Sequence, residues 1–495
     1  MMDTWYISPR AARLRGRKTG VTRRFSPTSF LFGVDQQRES AFTPRPDRIP
    51  GEMHVREPAA GLWRFEALNA AGHPLLLLGT AIAIGLSGPL PAEDRPTPAA
   101  ASRVEVTLDV QGQLFAEASP EQSPLTQAIQ LDARFEFTES AVRGDATVVR
   151  RYHTAVADYT AGGQTTRSIL AVDAREVLVA LRGTTPSSYL SEGFLSRDES
   201  DLLEMPFDSS LVDGMRSATP IATAAGWSVP ADLTAGLLAI DTVESGSLEA
   251  TLTGVADGTA TVALSGTVTG GVDGAPTRIT VTGAFRCGAT LADDDAGWLL
   301  DGRIETLDVE IAERREAGWV APGLDVTAEL KLVRSPSAAL SEPDVTSRQL
   351  GQVLADRPRG PGRPGTVWER HRQGRYTLVL DERWRVVEDG SEGIVMRLMD
   401  RGALVAQCSI MPLPRTAPDA PPAVDTVRRD VERSLGDQFG LVVAAEQTTR
   451  GDGTRVVRVV AEGTAEDRPF RWIHQVLTDP AGHRAAVTCM HEPAA

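Results

Sequence analysis

The stretch RVEVTLDV, residues Arg103–Val110, alternates apolar and polar side chains without interruption. A period of two residues is typical of a strand with one buried side and one solvent-facing side. Similar runs return at residues 129–135, 261–268 and 278–282, and turns containing Gly and Asp separate them. Short alternating runs joined by such turns predict antiparallel hairpins. We therefore expect residues 103–334 to form one β-rich domain.

Two short helices interrupt this pattern. One is predicted over Asp198–Met205, with Ser196 or Asp198 as its capping residue, and the other over Asp232–Ile240. The sequence therefore predicts an α+β fold that is mostly β. Its first part is a large antiparallel sheet, curved or forming an open barrel, with short helices laid on one side.

Residues 335–367 differ in composition and are predicted to be a linker. They contain the run RPRGPGRPG, in which Pro and Gly prevent packing and stop a helix from propagating. A short helix is predicted within the linker at Val345–Ala355.

Residues 368–492 carry a second pattern, in which alternating strands surround one long helix at Pro421–Phe439. The apolar residues of the helix fall on a single face, and Gly440 fits the position after its end. Strands are predicted at residues 376–380, 393–398, 404–411, 441–446, 454–462, 470–477 and 483–490.

This order of elements resembles PsbP-like domains. The resemblance lies in GRYTLVLDERWRV (374–386), in the hairpin at 393–414 that contains RGALVAQCSIMPLP, in the helix, and in GHRAAVTCMHE (482–492). It implies a small α/β/α sandwich, an antiparallel sheet between helices, that binds or assembles with other proteins. The family includes extrinsic subunits of the photosynthetic water-oxidising complex. No functional residue of the family can be matched here.

The long apolar run HPLLLLGTAIAIGLSGPLPA, residues 73–92, predicts a signal peptide or an N-terminal anchor. It is shorter than a typical membrane span and contains Gly and Pro, which favours cleavage. Residues 1–72 are predicted to be a disordered extension, unless Met53 is the true start. The rest of the chain is then extracytoplasmic, in the periplasm or cell envelope, and touches a membrane only if segment 73–92 is retained.

Charge is distributed unevenly along the chain. Residues 1–92 have a net charge of +5 and the remainder −20. An acidic body repels the phosphate backbone, so nucleic acids are excluded as partners.

The search for chemistry finds no phosphate-binding Gly loop and no nucleophile elbow. The sequence thus predicts no catalytic residue, no cofactor and no metal site. Glu305, Asp308, Glu310 and Glu313 are interpreted as the wet side of one strand, and Asp293–Asp295 as a solvated turn. The isolated tryptophans are expected to be core anchors.

Three cysteines are present. Cys408 and Cys489 lie in strand-like runs of the same segment, where they form either one disulfide or two buried thiols. Cys287 stays free in both cases, and no His near it in sequence would activate it as a nucleophile.

Three hypotheses about function follow. The first is an exported, non-enzymatic envelope protein that binds an apolar small ligand or a protein partner. The alternative is an extracytoplasmic hydrolase with an unrecognised site. The third is a purely structural cell-surface protein, for which a closed, fully packed β core without a cavity would be expected.

Overall fold

The computed structural model describes residues 101–116, 125–141, 147–292, 297–317, 322–337, 357–370, 377–390, 393–400, 403–417, 422–465 and 468–493. The predicted leader at 73–92, the alternative start at Met53, the short helix at 345–355 and the acidic turn at 293–295 lie outside these ranges.

Residues 102–336, which we call the first module, are built from strands with two short helices near the middle. The strands are β1 (Ser102–Ala116), β2 (Leu125–Ala141), β3 (Thr147–Ala161), β4 (Gln164–Ile169), β5 (Glu176–Arg182), β6 (Thr185–Tyr189), β7 (Leu195–Ser196), β8 (Gly226–Ser228), β9 (Thr242–Ala256), β10 (Thr259–Val272), β11 (Ala275–Gly288), β12 (Thr290–Leu291), β13 (Trp298–Leu299), β14 (Ile304–Arg315) and β15 (Gly323–Pro336). The helices are α1 (Arg197–Leu203) and α2 (Ala231–Leu238).

Twelve of these strands form one antiparallel sheet in the order β6-β5-β3-β2-β1-β15-β14-β11-β10-β9-β8, with β4 paired to β3. Its end strands β6 and β8 are not paired with each other among the described residues, so the sheet is open. Ser102 pairs with Pro336, which places both ends of the module side by side. The prediction of a large antiparallel sheet in a mostly β protein is confirmed.

One side of this sheet, the inner face, holds the core. Along β1 the odd positions from Glu105 to Gln113 are exposed, whereas Val104, Val106, Leu108 and Val110 are buried. The inward positions of β2, β15, β14, β11 and β10 continue the same buried surface. The alternation read from the sequence therefore separates the dry side from the wet side.

Glycine replaces larger residues at three inward positions of the central strands, Gly112, Gly266 and Gly283. A Cβ on Gly112 would lie 2.2 Å from the carbonyl oxygen of Asp325 on the neighbouring strand. Adjacent backbones approach too closely at these positions for any side chain, and a close approach of this kind is one reason for glycine within a strand.

The two predicted helices are present. Helix α1 begins with a capping box, in which Ser196 Oγ accepts from the Glu199 amide and the Glu199 carboxylate accepts from the Ser196 amide. Of the two capping residues considered, Ser196 is the one used.

Residues 366–491, which we call the second module, contain β16 (Thr366–Arg370), β17 (Thr377–Asp381), β18 (Trp384–Asp389), β19 (Ile394–Asp400), β20 (Ala403–Leu413), α3 (Val424–Leu435), β21 (Phe439–Thr449), β22 (Arg455–Ala465), β23 (Arg468–Thr478) and β24 (Arg484–His491). Seven of the strands form an antiparallel sheet in the order β18-β19-β20-β24-β23-β22-β21. Strands β16 and β18 were not predicted.

The long helix ends earlier than predicted. Gly436, with φ +52°, follows Leu435 directly, and the chain is already in β21 at Phe439. Gly440, the expected stop, lies inside the strand. The apolar spacing continues through Phe439 because that residue packs on the same cluster from the strand, so periodicity alone placed the boundary one turn too late.

Both faces of the seven-stranded sheet are packed. Helix α3 lies on one face, where Val427 and Val431 contact Val457, Val459 and Ala461. On the opposite face, Leu378 and Leu380 of β17 pack with Trp384, Met396 and Cys408. The PsbP-like relationship itself stays a prediction, as does the division into domains.

Candidate functional site: the inner face, its cover and the junction

Residues 197–240 run from α1 through α2, and we call them the cover. Their apolar side chains belong to the same continuous core as the inner face of the large sheet. Phe207, Val212, Met215 and Leu237 are completely buried. The cover therefore supplies the apolar contacts that this face would otherwise lack.

Three non-glycine residues of the cover, Phe207, Ala224 and Ala239, have a positive φ, and Phe207 is the bulkiest of them. Phe207 has a positive φ of 53°, a conformation that a bulky residue rarely adopts. Its backbone amide donates to the carbonyl oxygen of Leu237 at 2.6 Å, and its ring is buried. Such strain persists only where the surroundings hold it, and here the contacts join the two ends of the cover.

The cover is anchored to the sheet by a fully buried arginine. Arg150 on β3 donates twice to the carboxylate of Asp208, at 2.8 and 2.5 Å, and its Nε donates to Glu139 at 3.0 Å. The guanidinium also lies 5.0 Å from the centre of the Phe137 ring. A two-point pair of this kind fixes orientation as well as distance, so the cover has one defined position over β2 and β3.

A second arginine extends the anchor across the sheet. Arg334 on β15 donates to Asp213 at 3.0 Å and to the carbonyl oxygen of Ser209 at 2.6 Å. Asp213 also accepts from the backbone amide of Ile304 on β14 at 2.8 Å. Residues 208–213 are thereby bound to strands β2, β3, β14 and β15. We call these residues, together with Glu139, Arg150 and Arg334, the anchor.

The anchor is electrostatically stable near neutral pH. Burial acts to raise the pKa of Asp208, but the charge and hydrogen bonds of Arg150 outweigh it, and the pKa is lowered below its usual value. The carboxylate stays ionised when the protein is folded. Its contribution to stability is complete above the unfolded pKa and is lost as the pH falls through the lower folded value.

A second buried pair lies at the opposite end of β14. Glu313 accepts from Arg315, and both side chains are buried. Burial raises the pKa of Glu313 to about 7, although Arg315 opposes the shift. The prediction that Glu313 lies on the wet side is wrong, whereas Glu305, Asp308 and Glu310 are exposed as predicted.

The second module contacts the first through α1 and the turns around it. Arg197 donates to the carbonyl oxygens of Glu382 at 2.9 Å and Trp384 at 2.6 Å. Arg385 Nε lies 3.3 Å from Asp273 in the turn between β10 and β11. Strand β16 pairs in parallel with β7, so the two modules share a small three-stranded sheet, β17-β16-β7.

Part of the predicted linker belongs to this junction. Arg357 donates to Glu199 and to Asp173, and its Nη1 donates to the carbonyl oxygen of Phe194 at 2.7 Å. The amide of Gly193 donates to the Gly360 carbonyl oxygen at 2.7 Å. Helix α1 thus begins the cover and also contacts the second module.

The pKa values of two carboxyl groups at the junction are raised. Burial, followed by the charge of Asp198, raises the pKa of Glu369 to about 8, and Arg197 opposes it. Burial is also the main cause that raises the pKa of Glu382, which lies beside Arg182 and Arg197. In both cases the main cause is burial, which penalises the charged form of a carboxyl group.

The predicted cysteine pair is brought together. Cys408 and Cys489 are direct partners on β20 and β24, with their sulfur atoms 2.7 Å apart. Cys287 is on the inner face of the other module, where burial raises the pKa of its thiol to about 11. A thiol of this kind is inert as a nucleophile.

Histidines do not build a catalytic constellation in the described ranges. His483 Nδ1 lies 2.8 Å from Asp479, but the same carboxylate accepts from the His483 amide and closes the β23–β24 turn. His474 pairs with Thr488 across β23 and β24. Within the residues that the structure describes, no group of three or more His, Cys, Asp or Glu side chains could hold a metal ion.

The tryptophans follow the predicted role in part. Trp368, Trp384 and Trp472 are buried, and Trp227 and Trp298 are half-buried against the large core. Trp319 lies outside the described residues.

Sequence reasoning missed the anchor. A signal was present, because the inward register of β2 and that of β15 each end on a charged residue. On β2 the inward series Ile129, Leu131, Ala133, Phe135, Phe137 continues to Glu139, and β15 runs from Leu324 through Leu332 to Arg334. A charged residue in phase with buried neighbours is a candidate for a buried ion pair.

No helix in the described part of the chain has both the length and the apolar character needed to cross a bilayer. No known protein family and no curated protein matches the chain. Solved structures that align with it include Pseudomonas aeruginosa OccK5 (OpdH), with 5% identity over 78% of this chain and 96% of that one, and a TM-score of 0.12. A mutant of the Rh. blastica porin aligns at 7% identity over 79% and 99%, with a TM-score of 0.12. Pseudomonas putida OprB aligns at 8% over 79% and 93%, with a TM-score of 0.11. At these scores the alignments carry no argument about this chain.

Proposed function

We propose that this is an exported, non-enzymatic envelope protein that holds an apolar ligand between the inner face of the large sheet and its cover. The observation that carries the proposal is the inner face itself, an apolar surface spanning β2, β1, β15, β14, β11 and β10 that shares its core with the cover. The apolar leader at residues 73–92 supports export.

A ligand in this place exchanges one set of apolar contacts for another. Side chains such as Phe207, Met215 and Leu237 occupy the inner face when the cover is closed. A long, flexible hydrocarbon chain can replace these contacts at little cost, because one apolar surface is exchanged for another. The ionic contacts of the anchor lie at the end of the face and fix the closed position of the cover. A ligand with an extended alkyl or acyl chain suits this arrangement best.

The test is to purify the full chain from a host that exports it and to extract bound molecules with organic solvent for mass spectrometry. A fluorescent long-chain fatty acid is then titrated into the extracted protein. We expect a co-purifying molecule with a long hydrocarbon chain and saturable binding of the probe. An empty extract together with no probe binding by folded protein would overturn the ligand proposal.

The cover gives this test a sharper form. Asp213→Asn weakens the more exposed arm of the anchor and should speed probe entry and release several-fold. Asp232→Asn, at an exposed site on α2, is the matched control and should leave both rates unchanged. Equal rates in wild type and Asp213→Asn would exclude the cover as the route of entry.

A protein partner is the second candidate, favoured by strand β21. This strand of eleven residues lies at the edge of the seven-stranded sheet, and Leu441 and Val443 on it are exposed. An edge strand with exposed apolar side chains is a surface on which an extended segment can add a strand. Val443→Lys should abolish retention of a partner from the host envelope and leave probe binding unchanged. Retention of the same partner by Val443→Lys would exclude this edge.

A further inference from the structure

We propose that Cys408 and Cys489 form a disulfide that joins the two halves of the seven-stranded sheet. The inference is independent of ligand binding, because it rests on the second module alone.

The topology of the sheet identifies the place where a bridge matters. Strands β18, β19 and β20 form one meander, and β21, β22, β23 and β24 form another. Among the described residues of this sheet, the pairing of β20 with β24 is the only one that joins the two meanders. The two cysteines are 81 residues apart in the chain and occupy this seam. A bond there closes a long loop, the case in which a cross-link restricts the unfolded chain most.

The local geometry suits bond formation. Cys408 and Cys489 are direct cross-strand partners, and their sulfur atoms are 2.7 Å apart, so a small movement of the side chains brings them to the bonded distance of about 2.05 Å. Met396 lies opposite Cys408 on β19, and Ile473 lies opposite Cys489 on β23. The pair is thus enclosed by a row of apolar side chains across four strands, which holds both sulfurs in place.

The two thiols differ in access, and the difference orders the reaction. Cys408 is 1% exposed, whereas Cys489 is half-buried. The Cys489 side chain and burial both raise the pKa of the Cys408 thiol. Cys489 therefore reacts first.

The oxidant is a small or protein disulfide of the kind found in oxidising compartments. The Cys489 thiolate attacks it, forms a mixed disulfide and releases one thiol. The Cys408 thiolate then attacks the Cys489 sulfur, forms the internal bond and releases the second thiol. One external disulfide is consumed, and two external thiols are produced.

The chain has three cysteines in all, so the number of alkylated cysteines reports whether a disulfide has formed. Reduced full-length protein is incubated with oxidised glutathione under native conditions, quenched with acid, unfolded and alkylated. We expect a mass with one alkylated cysteine, Cys287, and a Cys408–Cys489 linkage in peptide mapping, against three alkylated cysteines after reduction. Three alkylated cysteines after oxidation, stable glutathione adducts, or any other linkage would overturn the proposal.

Stability gives a second readout. The Tm of the second module in oxidised wild type should exceed that of reduced wild type by about 10 °C, given the length of the closed loop. The doubly substituted Cys408→Ala/Cys489→Ala protein should have the same Tm under both conditions. Cys287→Ala should keep the full difference. A redox-dependent Tm in the double variant would show that the effect arises elsewhere.

Discussion

The two sheets of this protein bury their apolar side chains in different ways. The twelve-stranded sheet has one dry side and one wet side, and its dry side is finished by a cover held with buried ion pairs. The seven-stranded sheet is packed on both sides, by α3 and by β17, and in the part of this module that the structure describes its small apolar clusters contain no buried ion pair. A large one-sided sheet needs a fixed cover, whereas a small two-sided sheet depends on each apolar contact and on the seam between its halves.

Arg150→Met is expected to have the largest effect on the stability of the first module. It leaves Asp208 and Glu139 buried without their cation, so the first module should lose about 3–5 kcal/mol of unfolding free energy. Denaturant unfolding monitored by tryptophan fluorescence measures the change. The neighbouring Arg151→Met removes a pair with the exposed Glu176 and should cost less than about 1 kcal/mol. Equal losses for the two variants would contradict the role of the anchor.

The close approach of β1 to β15 is tested by Gly112→Ala. The new methyl group meets the Asp325 carbonyl oxygen, so we expect a loss of about 3 kcal/mol in the first module. Gly254→Ala on β9 is the matched control, because nothing lies within 4 Å of its added methyl group. That substitution should leave the unfolding free energy nearly unchanged, and a comparable loss would show that glycine flexibility matters more than close approach.

The second module is expected to respond to Val431→Ala. This residue is 4% exposed between α3 and the sheet. Its truncation should lower the unfolding free energy of the second module by about 2 kcal/mol and leave that of the first module unchanged. Asp430→Ala, one position away and facing solvent, should change stability by less than about 0.5 kcal/mol. A shift of the first module's transition by Val431→Ala would indicate that the two modules unfold together.

His474 is expected to make the stability of the second module depend on pH. Burial lowers the pKa of His474 to about 4, so the unfolded chain takes up a proton near pH 6.5 before the folded chain does. The stability of the second module should therefore fall by about 1–2 kcal/mol as the pH falls from 6.5 to 4. His474→Gln should remove this slope in unfolding curves measured across that range, and an unchanged slope would assign it to other groups.

The raised pKa of Glu313 predicts the opposite dependence of stability on pH in the first module. Its pKa is raised to about 7 by burial, so its neutral form is favoured in the folded state. The stabilising contribution is present below the unfolded value near 4.5 and is lost as the pH rises towards 7. Glu313→Gln should flatten the stability of the first module over this range. A slope that survives the substitution would exclude Glu313 as its source.

Much of the fold could be read from local pattern. Alternation in β1 and β2, the capping residues of α1 and the apolar face of α3 each lie within a few residues, and each is present in the structure. The end of α3 was misplaced because Phe439 keeps the helical spacing while belonging to a strand. Strand β16 was missed because it begins inside the Pro/Gly-rich segment predicted as a linker, although its main partner β17 is close in sequence.

The candidate site was predictable only in fragments. The pairing of two cysteines could be considered because both lie in strands, but their direct opposition depends on the register of β20 and β24. Arg150 and Asp208 are 58 residues apart, and no local signal indicates that they meet. The position of Glu313 could have been read from its phase with Val309 and Ile311, which the run of neighbouring acids concealed.

The sequence by itself determined which residues alternate, where the turns fall and which side of each strand is apolar, because these properties arise between near neighbours in the chain. Tertiary structure alone decided that β1 lies beside β15, that residues 208–213 reach four strands and that α1 joins the cover to the second module. Those contacts depend on the pairing of segments that are distant in the chain. Their energies are set by burial, which exists only once the whole chain has folded.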